Sequence, residues 1–429
     1  MVPRNATDAG LLFEAGTPAF SVASFGAYSP ELLTEAKLTH LTHLEDAVLD
    51  DGPAGVTFAL TILREFGRIL NGGTVSRSLD VHTKWDGAPS LIFGVDPEDG
   101  KFFVSTKGAF AKTPKLAKSH KEIDGYWSGG PGPLLHVAFD LLGAATPRGI
   151  FQGDAIFTKS SVTVETIDGV TYYVFRPNTI TYAVDVNSTL GNKIAAADFG
   201  IVLHTMYVGK GSLAAMSAKP ITPAAFSTLR NISGLLVIDN TFDDLSGSIT
   251  FTQGEYADYQ LAFEEAQEYA SLGTKFYDVI LASPLHDYLQ QFINAQVRQN
   301  KATAPAQSVN DLLIFLQDTM DKEIAGKKSP AGQAGVRSKF QGLIGDVRGI
   351  RKALIQWFSL HQAIARTKNI VIRKLNQASK VATFVATPNG YKVTGPEGYV
   401  ACGHDGRMIK LVDRLEFSRL NFTVPKVWK

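Results

Sequence analysis

Apolar residues recur at helical spacing early in the chain. Val56, Leu60, Leu63, Phe66 and Leu70 share one face of a helix predicted over residues 54–70, which Gly72-Gly73 ends. Just before it, Thr42-His43-Leu44-Glu45 has capping-box spacing and predicts a short helix stopped by Gly52-Pro53. Residues 1–38 are weakly patterned. From about Ser76 to Gly209 the period becomes that of short strands, at 90–95, 101–106, 149–157, 162–167, 171–176, 179–186 and 200–208. Asp99-Gly100 and Asp168-Gly169 are hairpin-turn dipeptides between them. An excursion at 113–146 carries helix and a Gly/Pro loop. Residues 223–378 read as helical again: an acidic amphipathic segment at 255–273, a helix at 277–300, a linker at 301–307, and a helix over 311–324 capped by Ser308. Strand character returns at 381–386, 391–393, 398–401 and 408–412.

The last strands resemble the first set. The helical block therefore reads as an insertion into one α+β domain of mostly antiparallel sheet. The divisions are an N-terminal helical segment (1–75), a first core part (76–210), a helical insertion (211–380) and the C-terminal core strands (381–429).

Composition narrows the class without naming it. A chain of 429 residues with 45% hydrophobic and 19% charged residues is an ordinary soluble globular protein. The net charge is +1, so any polyanion-binding surface must be local. The single cysteine, Cys402, excludes a disulfide within the chain and fits a reducing, cytoplasmic setting. There is no apolar signal segment and no run long enough to span a membrane, so no membrane partner is expected.

Candidate chemistry centres on Lys84-Trp85-Asp86-Gly87, at a predicted strand–turn–strand junction. A lysine fixed there can attack phosphorus once it is deprotonated, and the glycine lets backbone approach a phosphate closely. Taken alone, the tetrapeptide reads more readily as a surface β-turn, with Asp86-Gly87 making the bend, than as a site. Further segments follow it on predicted strands: Ser105-Thr106-Lys107-Gly108, Gly149-Ile150-Phe151-Gln152-Gly153-Asp154, Glu397-Gly398-Tyr399-Val400 and Ile409-Lys410-Leu411-Val412.

In that order they resemble the motifs of the covalent nucleotidyltransferase superfamily, which includes ATP-dependent RNA and DNA ligases and mRNA capping enzymes. The resemblance covers roughly residues 76–209 and 390–420. It implies a ligase-like, ATP-grasp-like antiparallel core in which Lys84 becomes nucleotidylated from ATP. Asp86, Gly87, Lys107, Asp154, His204, Glu397 and Lys410 would bind nucleotide or phosphate, and Asp154 and Glu397 would hold Mg²⁺. Lys107 stands where arginine is usual, which keeps charge but loses the bidentate fork. Asp154 stands in the acid's place, and Thr83 where an acid often precedes the lysine. On the strand at 200–208, His204 or Tyr207 is the candidate for stacking on the base. Only seventeen residues follow the last motif strand, which leaves no room for a C-terminal OB domain and favours an RNA ligase-like enzyme over a DNA ligase. The general layout, including Thr42-His43-Leu44-Glu45-Asp46, also resembles proteins of tailed bacteriophages, for which the host cytoplasm would be the compartment.

Between Gly326 and Lys380 there are twelve Lys/Arg residues and one acid, Asp346. Arg348, Arg351, Lys352, Arg366, Lys368, Arg373 and Lys374 are candidates for contacting RNA or DNA ends. The competing reading is a solvated basic face compensated by the acidic stretch at 255–268. Other functional classes stay open: a noncatalytic nucleic-acid-binding or virion protein on a degenerate ligase fold, or an enzyme that transfers the nucleotide to a protein or small molecule. Gly326-Lys327-Lys328-Ser329 lacks the upstream glycine of a P-loop. His40 and His43 with Glu45 and Asp46 are set aside as a metal site, and Cys402 is read as structural.

Overall fold

The computed structural model describes residues 41–418 except 74–78, 145–148, 168, 222–226, 228, 239–248, 273–279, 281–283, 378–381, 388–389, 395–396 and 404–406. His40 and Asp168 lie outside the described residues, as do 277–279 and 281–283 of the helix predicted over 277–300.

Along the chain, α1 (Ala47–Asp50) and α2 (Gly52–Leu70) precede β1 (Leu79–Lys84), β2 (Ser90–Val95) and β3 (Phe102–Ser105). Helices α3 (His120–Tyr126) and α4 (Gly132–Ala144) lead to β4 (Ile150–Thr158), β5 (Thr163–Ile167), β6 (Val170–Phe175) and β7 (Ile180–Asp185). Then come α5 (Thr189–Ala195), β8 (Phe199–Val208), β9 (Ser217–Pro220) and β10 (Leu235–Ile238). Five long helices follow: α6 (Gln253–Ser271), α7 (Leu285–Arg298), α8 (Pro305–Ala325), α9 (Pro330–Gly349) and α10 (Arg351–Asn376). The last strands are β11 (Ala382–Thr387), β12 (Gly390–Thr394), β13 (Gly398–Gly403) and β14 (Met408–Leu411), before a π-helical turn, Arg414–Ser418.

The fold is α+β, and the described residues form three sheets built almost wholly from antiparallel pairs. The six-stranded sheet runs β10-β8-β4-β2-β3, with β9 also on β8; β10 pairs with β8 in parallel. The five-stranded sheet runs β12-β11-β7-β6-β5, and the three-stranded sheet β1-β13-β14. Strands from the two ends of the chain thus complete each other's sheets, at β11 on β7 and at β13 on β1. Strands β9 and β10 carry the large sheet past residue 210, beyond the expected start of the insertion. The β2–β3 and β5–β6 hairpins turn at Gly100 and Gly169, whose φ of 72° and 81° suits glycine.

Three layers of packing position the strands. Leu91, Phe93, Phe151 and Leu203, on one face of the six-stranded sheet, pack against Leu135, Ala138 and Leu142 of α4. On its other side Ile156, Val202 and Ile238 meet Phe175, Ile180, Tyr182 and Val184 of the five-stranded sheet. The three-stranded sheet packs Val81, Tyr399, Ala401, Ile409 and Leu411 on a helical core that includes Phe66 of α2, Ala262 of α6 and Val371 of α10. The N-terminal helices and the inserted ones therefore form a single helical layer.

Two helix starts differ from expectation. Thr42 and Glu45 form no capping box: α1 starts later, Thr42 Oγ1 donates to Asp50 at 3.1 Å, and Glu45 is drawn away by a buried lysine. Ser308 is inside α8, which starts at Pro305; its hydroxyl accepts from the Ala304 N–H at 3.0 Å. Gly52-Pro53, expected to stop one helix, opens the next, because proline in a first turn forfeits no hydrogen bond.

Candidate active site around Lys84

Lys84 is the last residue of β1 and lies opposite Gly398 in the register with β13. Glu397 immediately precedes that glycine, and its Oε2 accepts from Lys84 Nζ at 2.5 Å. Gly398 is required here: its φ is 145°, and a Cβ would come within 2.3 Å of the Leu411 carbonyl oxygen. One step further, Val400 pairs with His82 on one side and Lys410 on the other. Side chains paired across a sheet share a face, so Lys410 lies on the face that carries Lys84. The outer edge of β14 is covered by Thr42–Leu44. Lys410 N–H donates to the Thr42 carbonyl at 2.9 Å, and Leu44 N–H to the Lys410 carbonyl at 3.1 Å.

The turn after Lys84 is tied down by Asp86, which is only 5% exposed. Its carboxylate accepts from Asn178 Nδ2 at 2.8 Å, Thr179 N–H at 2.7 Å and Ile180 N–H at 2.8 Å. Its own N–H donates to the Tyr182 hydroxyl at 2.6 Å. Burial and the Asp86 charge keep that hydroxyl protonated well above the usual tyrosine range. Trp85 packs on the Tyr182 ring at 4.7 Å between centroids. Asp86, expected at the nucleotide, thus uses its carboxylate to clamp the turn onto the five-stranded sheet. Gly87 allows the other side to close: a Cβ there would lie 2.5 Å from Asp154 Cβ. Ala88 N–H then donates to the Ala155 carbonyl at 2.9 Å.

Asp154 faces Ser90 across β2 and β4, and His204 Nε2 lies 3.6 Å from its Oδ1. Burial opposes ionisation of Asp154, but His204, Lys84 and Ser90 outweigh it and hold the carboxyl below the ordinary aspartate range. His204 is therefore near the site as an electrostatic neighbour of Asp154, and its Nδ1 lies 2.9 Å from Thr205 Oγ1. Lys107 starts a short 3₁₀ turn, Lys107–Phe110, just past Ser105, which pairs with Ile92 of β2; it is exposed.

Charge at the centre is strongly coupled. Burial works against the Lys84 ammonium, yet Glu397, Asp154 and Asp86 together hold it above the ordinary lysine range. Burial and the Asp86 charge push Glu397 up against the pull of Lys84. The proton of the pair rests on Lys84, next to a carboxylate that accepts protons more readily than usual. Burial, with the charge of Lys84, brings Lys410 down to about 8. Among the described residues no group of three or more His, Cys, Asp or Glu is arranged as a metal cage. Asp154 and Glu397 do offer two hard oxygen donors, which suits Mg²⁺ arriving with phosphate oxygens of its own.

The basic helices need correction. Lys368 is 1% exposed, donates to both Glu45 oxygens at 2.8 and 2.7 Å and to the Val412 carbonyl at 2.7 Å, and reaches no solvent. Lys374 is buried against Glu255 at 2.8 Å. Neither can meet a phosphate backbone as placed. Arg366 is exposed but pairs with Glu265 at 3.1 Å, and Arg351 donates to Asn310 at 2.8 Å. Arg348, Lys352 and Arg373 remain exposed. The acidic helix α6 thus compensates part of α10, the competing reading for this segment.

Several contributors escaped the sequence reading: Asn178 and Tyr182, which hold Asp86, and a buried network under Lys410. There Arg414 donates to both Asp46 oxygens at 2.7 and 2.8 Å, and His361 Nε2 lies 3.1 Å from Asp46 Oδ1. One signal was available. Lys368 follows Ile364 by four residues and precedes Val371 by three, so it sits in the apolar stripe of α10.

Comparison with curated proteins and with solved structures gave no match. A family model, DUF6267, matches residues 38–426, from just before the Thr42–Asp46 segment to beyond the π-helical turn. The chain therefore belongs to DUF6267, a family of unknown function.

Proposed function

We propose that this chain is a covalent nucleotidyltransferase that loads AMP from ATP onto Lys84 and passes it to the 5′-phosphate of a polynucleotide end. The observation that carries the reading is the Lys84–Glu397 contact at 2.5 Å, made across a sheet that also presents Lys410 and lies beside Asp154.

In this reading Lys84 first gives its proton to Glu397, whose raised proton affinity suits the task. The free amine attacks the α-phosphorus. A P–N bond forms as the P–O bond to pyrophosphate breaks, and pyrophosphate leaves with the electron pair. Lys410 and Lys107 neutralise charge on the transferring phosphates. Asp154 would hold Mg²⁺, which would withdraw charge from phosphate oxygens when bound, while Glu397 keeps the proton. In the second step an oxygen of the 5′-phosphate attacks the bound AMP, the P–N bond breaks, and the leaving Lys84 nitrogen takes back the proton held by Glu397.

The test is incubation with α-labelled ATP or GTP and Mg²⁺. The expected result is an acid-stable protein label from ATP that is absent in Lys84→Ala. No label from either nucleotide, or a label that survives Lys84→Ala, overturns the proposal in favour of a noncatalytic binding protein. Transfer of the label to RNA, to DNA or to neither then names the acceptor.

A further inference from the structure

We infer that the lysine-bearing loop after β3 is the docking surface for the phosphate backbone of a polynucleotide. Between residues 101 and 121 the chain has six lysines and no acid. Lys107, Lys112, Lys115 and Lys121 are exposed. Among the described residues none of these four lies within ion-pair distance of an acid, whereas Lys118 is spent on Asp96 at 2.6 Å and Asp99 at 2.8 Å.

The acids that come next are committed elsewhere. Glu122 accepts from the Lys118 N–H at 2.7 Å at the start of α3. Asp124 lies 3.0 Å from His136, and Asp140 3.0 Å from His120. Among the described residues no acid pairs with these four lysines, in contrast to α10, where Glu45, Glu255 and Glu265 take three of its six candidate cations.

The loop is also held in place. Val104 and Ala117 exchange backbone hydrogen bonds at 2.9 and 3.0 Å. Lys115 N–H donates to the Gly108 carbonyl at 3.1 Å, and Ser105 Oγ donates to the Lys115 carbonyl at 2.6 Å. Its root is at the site: Ser105 pairs with Ile92, two residues beyond Ser90, which pairs with Asp154. A row of fixed, uncompensated cations leading away from Asp154 fits a repeating anion, and the charge spacing of a polynucleotide supplies one. The inference rests on the reading of Lys84 as nucleophile only for the choice of a polynucleotide end.

The test uses the full chain and two fluorescent 5′-phosphorylated single strands, one RNA and one DNA, of the same sequence. Lys112→Glu/Lys115→Glu/Lys121→Glu is expected to weaken binding at least about tenfold at low salt. It should also reduce the slope of log affinity against log salt by about 2, the loss of three phosphate contacts. Lys352→Glu/Arg373→Glu is the comparison and should change little. Labelling of Lys84 by ATP serves as the independent readout: it should persist in the triple variant, and its failure in the wild type would sink the enzyme reading and leave the surface to be judged by binding alone. Unchanged affinity and slope in the triple variant overturns the inference. So does loss of binding in the α10 variant instead, or no binding of either strand by the wild-type chain. Binding of only one strand keeps the surface and names its polymer.

Discussion

The Lys84 ammonium and the Glu397 carboxylate meet at 2.5 Å, although 313 residues separate them in the chain. The pairing of β1 with β13 brings them together, and it fixes the charge state of the lysine. Glu397 is the strongest influence that keeps the ammonium charged against burial. Replacing it with Gln removes that charge while preserving shape. Lys84 should then lose its proton at lower pH than in the wild type. The check is the pH dependence of Lys84 acetylation by acetic anhydride, followed by mass spectrometry. Identical profiles in wild type and Glu397→Gln would show that the ion pair does not control this lysine.

Lys410 is shifted the other way from Lys84. Burial and Lys84 lower it to about 8, so it is charged below that value and neutral above it. Attraction for phosphate should fall as pH rises through about 8. Binding of a fluorescent ATP analogue in Mg²⁺ should weaken several-fold across that range. Lys410→Arg carries a guanidinium that does not deprotonate, so its affinity should stay flat. Lys410→Met should bind weakly at every pH. A wild-type profile that is flat through the same range counts against a phosphate-facing Lys410.

How much of this was legible beforehand depends on the range over which each feature is determined. Strands β2, β4 and β8 were readable because alternation and turn dipeptides are local. The ordered motifs placed Lys84 and Lys410 on strands and Glu397 at the start of one, and their sheet unites them. The partners of Asp86 were not legible because a carboxylate beside a glycine looks the same whether it faces a ligand or three donors from residues 178–180. The capping-box pattern at Thr42 failed for a related reason: Glu45 finds a stronger partner in Lys368, 323 residues away. Charge counting along 326–380 left two readings open, and acids of α6, the stretch named in one of them, do take part of that charge.

Gly87 is open to a direct steric test. Alanine there places a methyl 2.5 Å from Asp154 Cβ and 3.0 Å from the Ala155 carbonyl oxygen. Both neighbours belong to β4, in the middle of a packed sheet, so the turn has to move instead. The cost should be about 1–3 kcal/mol of stability. Because the turn carries Lys84 at one end, ATP labelling should fall more than tenfold while the urea-unfolding transition stays cooperative. Gly125→Ala, in open space on α3, controls for general effects of losing a glycine and should leave labelling intact. Equal labelling in Gly87→Ala and wild type would mean that the turn does not set the position of the lysine.

Lys368 and Glu45 supply the last prediction. Both side chains are 1% exposed, and their pair fastens α10 to the segment that covers the edge of β14. Removing one partner leaves a buried charge without its counterion, at a cost of about 3–5 kcal/mol. Removing both and filling the space with apolar groups is often neutral or stabilising by comparison. Lys368→Met and Glu45→Leu should each lower the urea midpoint sharply, and the double variant should recover most of the loss. The Val412 carbonyl, which also accepts from Lys368, loses one donor in the double variant, so recovery should be incomplete. If Lys368 instead served nucleic acid at the surface, Lys368→Met would weaken oligonucleotide binding without moving the urea midpoint. Additive losses in the double variant would rule out the pair as the coupling between the helical layer and the sheet that holds Lys84.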